Sequence, residues 1–323
     1  MTTSTRLPTV HRGVRAHRPL FVLAVAMAVT AGVAVIGLFI DGRMITGLPL
    51  WDKPLKFAIS VGIYALTFGW LFGQLRRGRR TAWWAGTVAA VFLGIEMVII
   101  AGQALRFTTS HFNKSTPFDA ALWSVMGSSI AVVWVATLVI AVVLFANPGP
   151  DPARNLAIRA GTVISLIGML LGFLMTIPST AQIQSKDGIV GAHTVGLTDG
   201  GPGLPLLGWS TVGGDLRIPH FVGMHALQLL PLLLIALEAL SRRFVTLRDD
   251  AVRARLIGLA ALGYAGLVAV VTWQALRGQS IVHPDGLTLL ALAGVVLLVA
   301  LPGASVLRAG STRARRSSDL VGS

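Results

Sequence analysis

Eight long apolar runs divide this chain, near residues 19–40, 55–74, 82–105, 119–146, 157–177, 219–240, 255–275 and 287–307. A helix advances about 1.5 Å per residue, so each run is long enough to cross a hydrocarbon core of roughly 30 Å. Lipid offers no hydrogen bond to a free peptide group, and a single run of this kind satisfies its own backbone only as a helix. The expected fold class is therefore all-α, a polytopic transmembrane helical bundle of about eight spans. Hydrophobic residues make up 54% of the sequence and charged residues 12%, which suits that class and not a soluble domain.

The formal net charge of +14 would suggest a nucleic-acid partner in a soluble protein, but its placement points elsewhere. The arginines fall in every second gap. Arg6, Arg12, Arg15 and Arg18 precede the first run; Arg76, Arg77, Arg79 and Arg80 separate the second from the third; Arg154 and Arg159 follow the fourth. Arg242, Arg243, Arg248, Arg253 and Arg255 lie between the sixth and seventh, and Arg308, Arg313, Arg315 and Arg316 follow the last. By the positive-inside rule these segments and both termini are cytoplasmic. The opposite loops carry all the lysines, Lys53, Lys56, Lys114 and Lys186, with far fewer arginines. Attraction of basic tails to anionic headgroups, about 1 kcal/mol per residue, accounts for the charge with the lipid bilayer as partner and no nucleic acid. Cysteine is absent, which excludes disulfides, thiolate ligands and a cysteine nucleophile. The run 19–40 is too long for a signal-peptide core and reads as a retained span.

Residues 1–18 and 309–323 read as disordered cytoplasmic tails around a transmembrane domain of 19–308. An outer loop, 178–217, is too long for a connector and too rich in glycine for one helix, which suggests a lid or site wall. Two halves, about 19–146 and 157–308, look related. WDKPLKF at 51–57 resembles GDLRIPHF at 214–221, GQALR at 102–106 matches WQALRG at 273–278, and Pro117 with Asp119 answers Pro284 with Asp285. Duplication of a four-span unit would put the symmetry axis along the membrane normal. Gly69 with Gly73, Gly161 with Ser165 and Gly168 with Gly172 have the spacing of close helix packing.

Apart from His11 and His17, every histidine falls on the outer side: His111, His193, His220, His225 and His283. His225 and Gln228 share one face inside the sixth run, and Pro231 should kink that helix beside them. His220 and His225, five apart, lack the spacing of a helical metal pair. Glu96 is a carboxylate inside the third run, with Gln103 on the same face and Arg106 a turn further out; such an acid is costly in lipid and needs a role or a partner. Glu96, Gln103, Arg106, His225 and Gln228 are thus the candidate ligand-binding residues. His111, His220 and His225 are the candidates for metal or haem. Glu238 should pair with Arg242 or Arg243, and Trp51, Trp83, Trp84, Trp209 and Trp273 should anchor span ends at the interface.

The segments HFNKSTPFDAALWSVMG (111–127) and GWSTVGGDLRIPHFVGMHALQLLP (208–231) resemble segments of uncharacterised multispanning membrane proteins of high-GC bacteria. That resemblance implies a bacterial cytoplasmic membrane and no particular activity. From the residues, the first reading is a small-solute or ion carrier with a polar site open to the outside and proton coupling through Glu96. The others are a b-type haem protein ligated through His225, an outer-face zinc enzyme using His111, His220 and an Asp, and an accessory membrane subunit. The cysteine-free background makes the orientation directly testable. Ser115→Cys should react with an impermeant maleimide on intact cells and Ser241→Cys only after permeabilisation; the reverse pattern would overturn the assigned sidedness.

Overall fold

The computed structural model describes the backbone of residues 17–185 and 187–321, and the side chains of these except 181 and 313–321. Residues 1–16, with His11 and the first three arginines, and Lys186 lie outside the described residues. The helices are α1 (Arg18–Ile40), α2 (Asp52–Gln74), α3 (Arg79–Leu105), α4 (Pro117–Phe145), α5 (Pro152–Leu171), α6 (Thr180–Ser185), α7 (Arg217–Met224), α8 (Ala226–Leu240), α9 (Asp250–Leu276) and α10 (Gly286–Val321). A two-strand hairpin, β1 (Met44–Ile45) and β2 (Leu48–Pro49), sits in the first loop. Thr46 and Gly47 turn it with φ of 48° and 79°, the left-handed pair that a two-residue hairpin loop requires.

Among the described residues, seven helices are long and apolar enough to cross a membrane, and an eighth span results if α7 and α8, bent by 45° at their junction, count as one. The protein is a helical bundle of the multi-pass membrane type. Several spans begin earlier than apolarity alone indicates, because their first turns are polar capping turns. Asp151 accepts from the amides of Ala153 and Arg154 ahead of α5, Asp249 from Ala251 ahead of α9, and Thr116 from Asp119 ahead of α4. The segment 309–321, expected as a tail, continues α10 as far as Val321. Proline is absent from that segment, and Gly310 is the lone glycine before the helix ends, so little in it stops a helix.

His17 also departs from expectation. It is fully buried, its Nδ1 accepts from the Leu20 amide at 3.3 Å and its Nε2 donates to the Trp83 carbonyl at 2.9 Å, so it caps α1 against α3. Trp83, expected as an interfacial anchor, packs on that imidazole. Trp51 donates to Asp41 at 2.9 Å and packs over Gly37, closing the first loop. Glu238 pairs with Arg154 at 2.9 Å instead of Arg242 or Arg243, because α5 packs along α8.

The chain divides into two compact units, Met1–Asn147 with Pro178–Gly191, and Pro148–Ile177 with Ala192–Ser323. In the first, α1 packs on α2 and α3 on α4, with α3 also touching α1 and α2. In the second, α5 packs on α7 and α8, α9 packs on α10, and α9 also touches α5, α7 and α8. The long loop is shared between the units: its first part holds α6 and pairs Asn113 with Ile189, and its second part folds a hairpin joined between Gly203 and Ser210.

In the second unit the small-residue spacing proves to be one continuous groove. A Cβ on Gly161 would lie 2.9 Å from the Ala226 carbonyl oxygen, one on Gly168 2.3 Å from the Met224 nitrogen, and one on Gly172 2.8 Å from the His220 ring. Between them, Ser165 donates to the Met224 carbonyl at 2.8 Å. Gly168→Ala must push backbone apart and should cost about 1–3 kcal/mol, lowering Tm by roughly 2–10 °C. Gly32→Ala on α1, where a Cβ meets nothing within 4 Å, should leave Tm unchanged or slightly raised in the same detergent melt.

Candidate functional site

The outer side is the one opposite the arginine-rich segments. At the outer end of the first unit, α3 closes with Gln103-Ala-Leu-Arg106 and the chain reverses at Phe107, φ 57°. Gln103 Nε2 and Arg106 Nη1 each donate to Asp119 Oδ1 at 2.8 Å, Arg106 also donates to Gln103 Oε1, and Thr116 donates to Asp119 Oδ2 at 2.7 Å. The guanidinium lies over the Phe118 ring at 4.7 Å. A buried carboxylate is thereby met on both oxygens, at the point where α4 begins.

The second unit repeats this corner. Gln274 Nε2 donates to the Ser280 carbonyl at 2.9 Å, as Gln103 does to Thr109 at 3.5 Å, and Gly278, φ 70°, stands where Phe107 does. Arg277 pairs with Asp285 at 2.5 Å and lies over Trp273 at 4.4 Å. The Arg277 hydrogen bond holds Asp285 well below the usual carboxylate range. Gln103 and Arg106, expected to line a site with Glu96, are thus bound into a helix corner.

Glu96 stands nine residues inside the outer end of α3 at Leu105, about 14 Å along the axis. It is 2% exposed, and its Oε1 has no hydrogen-bond partner among the described residues. The charge of Lys53, in the first turn of α2, acts on it. On α4, which packs along α3, the hydroxyl of Ser129 is fully buried and likewise has no hydrogen-bond partner. His111, in the same unit, is enclosed by the rings of Phe57, Phe112 and Trp123, with Ser110 Oγ 3.1 Å from its Nδ1.

In the second unit the polar groups follow the sixth span. Arg217 and Asp215 pair at 2.6 Å; Asp215 accepts from the Ser210 amide and Arg217 donates to the Gly208 carbonyl, so this pair holds the 203–210 hairpin. His193 Nδ1 meets Asp199 at 2.6 Å. Partial desolvation pushes the Asp199 carboxyl up, but the His193 hydrogen bond and charge, helped by Arg217, outweigh it and leave Asp199 below its ordinary value. His220 Nδ1 lies 2.8 Å from the Gly168 carbonyl, which only accepts, so Nδ1 carries the proton and the neutral ring keeps Nε2 bare.

His225 itself is the break between α7 and α8. The bend was expected at Pro231, and it falls six residues earlier. Pro231 stays inside α8, where it withholds a donor from the Leu227 carbonyl four residues back. At the break itself neighbouring helices supply donors: Ser165 of α5 donates to the Met224 carbonyl, and Tyr264 of α9 to that of Val222 at 2.6 Å. Gln228, one turn on, hydrogen-bonds His225.

Of the expected ligand residues, Glu96, Gln103, Arg106 and His111 belong to the first unit, and His220, His225 and Gln228 to the second. Among the described residues no group of three or more His, Asp or Glu side chains is placed to hold a metal ion, so the zinc reading finds no ligand set. Asp119 and Asp199 were expected only as outer-side polar groups, without their partners; Ser129 and the action of Lys53 on Glu96 escaped sequence reasoning. The Thr116-x-x-Asp119 capping spacing could have placed Asp119 at a helix start; the others depend on chain packing. Comparisons with family models, curated proteins and solved structures find no match.

The His193–Asp199 contact gives a pH dependence. Because the folded carboxyl lies below its ordinary value of 3.8, its contribution is complete above that value and is lost as pH falls through the folded one. Amide exchange of 193–199, corrected for intrinsic rates, should stay slow down to about pH 4 and speed up below it. Asp199→Asn should raise it about fivefold already at neutral pH, the equivalent of one hydrogen bond.

Proposed function

We propose that the protein is a carrier for a small polar solute or ion in the bacterial cytoplasmic membrane, with both termini cytoplasmic. The observation that carries this reading is the interrupted sixth span. An interruption at membrane depth persists only where protein or a water-filled cavity surrounds it, and such interruptions are where carriers bind solutes. Here Ser165 and Tyr264 hold the carbonyls of the break, Gly161 and Gly168 bring α5 directly against it, and His225 and Gln228 stand at it. The bare Nε2 of His220 supplies a further acceptor one turn and a half toward the outer side. The two four-span units are proposed copies of one ancestral unit; the like order of helix pairing and the two matching corners support this. Glu96 is answered by Leu267, so the copies have diverged in their polar interiors.

One observation favours a second reading. A histidine whose Nδ1–H is held by a carbonyl presents Nε2 in the form that ligates haem iron. Protein expressed with haem available and purified with a Soret band and near-stoichiometric iron would replace the carrier reading.

The direct test uses liposomes loaded with a labelled polar extract of bacterial cells and common salts, with and without the reconstituted protein. At least one solute or ion should leave protein-containing vesicles tenfold or more faster than empty ones, and His225→Ala and His225→Gln should each cut that excess by about tenfold. Equal leakage of every species would overturn the carrier.

A further inference from the structure

We propose that Glu96 is a proton-binding site of the first unit and that Lys53 is the positioning residue that sets when its proton leaves. As the coupling site of a carrier this rests on the reading above; as a proton site it stands on the first unit alone.

The argument begins with cost. A carboxylate 2% exposed at this depth, with an oxygen that finds no hydrogen-bond donor among the described residues, is expensive when charged and tolerable when protonated. Buried oxygens without partners mark places that hold a proton, a water or an ion. Ser129 Oγ, twelve residues inside the outer end of α4 at Pro117, is a second such atom on the helix packed along α3.

Lys53 then decides the ligand. An ammonium acting on a lone carboxylate balances its charged form and repels a metal cation, which leaves the proton as the species the site exchanges. The other charges on the packed helices are engaged elsewhere. On α2, Asp52 pairs with Lys56 at 2.5 Å and Tyr64 hydrogen-bonds Thr137; on α4, Asp119 is held by Gln103, Arg106 and Thr116. On α1 the sequence has no titratable residue between Arg18 and Asp41, and Asp41 pairs with Arg43 at 2.7 Å. The step is a proton transfer alone: the carboxylic acid gives H⁺ to water and becomes a carboxylate on which the charge of Lys53 acts, and no electrons move.

The test is infrared difference spectroscopy of the full-length protein in lipid nanodiscs during a pH titration. A carboxylic acid C=O band should appear and titrate in the wild type and be absent in Glu96→Gln, and Glu96→Asp should restore a band at an altered midpoint. Lys53→Met should move the wild-type midpoint to higher pH by about one unit, because removing the cation favours the acid form. No titrating band, or one that survives Glu96→Gln, overturns the proton site; an unmoved midpoint in Lys53→Met overturns the role of Lys53. If Glu96→Gln fails to fold, Glu96→Asp decides, since a band with an unchanged midpoint there belongs to another acid and overturns the proposal. A titrating Glu96 in a protein that moves no solute removes the carrier and keeps the proton site, whereas solute flux without such a band does the opposite.

Discussion

Hydrocarbon supplies no partner for an unpaired peptide group, and the break in the sixth span is met by side chains for that reason. At the break in the sixth span, Ser165 and Tyr264 supply donors for the carbonyls of Met224 and Val222. At the two outer corners a glutamine amide reaches the carbonyl six residues on. Close approach is the other half of the same solution. Gly161, Gly168 and Gly172 admit the broken helix so near to α5 that Ser165 and the Gly168 carbonyl come within hydrogen-bond reach of it.

The polar residues then separate into two groups with different physics. Arg106 with Asp119, Arg277 with Asp285 and Arg217 with Asp215 are satisfied pairs beside helix ends and loops, where charge-assisted bonds fix the turns. Glu96, Ser129, His225 and Gln228 lie deeper. Glu96 and Ser129 have buried oxygens that the described residues do not satisfy, and His225 stands where a helix is interrupted. The second group has chemistry left over for a ligand or a proton.

Much of the architecture was legible in the chain, because a span needs about twenty apolar residues and nothing else satisfies its backbone. The small-residue spacing of α5 was legible for a similar reason, since one helical face repeats regularly. Boundaries drifted where capping turns are polar, as at Asp151 and Asp249. His17 was assigned to a tail because its burial depends on Trp83 and Phe72, more than fifty residues away. The site was legible only by type. Glu96 and His225 stood out as polar groups in apolar runs, but Gln103 shares a helical face with Glu96 and still turns, with Arg106, to Asp119 on the next helix.

The sequence by itself determined the solvent and where the apolar spans lie, and it set the arginine-rich segments in alternate gaps between them. These follow from composition, run length and charge placement along one strand of chain. Only the tertiary structure decided that the sixth span breaks at His225, that the outer corners consume Gln103 and Arg106, and that Glu96 keeps an oxygen without a hydrogen-bond partner among the described residues. Each of these outcomes is a choice of hydrogen-bond partner between helices, and a one-dimensional pattern does not contain the distances on which that choice turns.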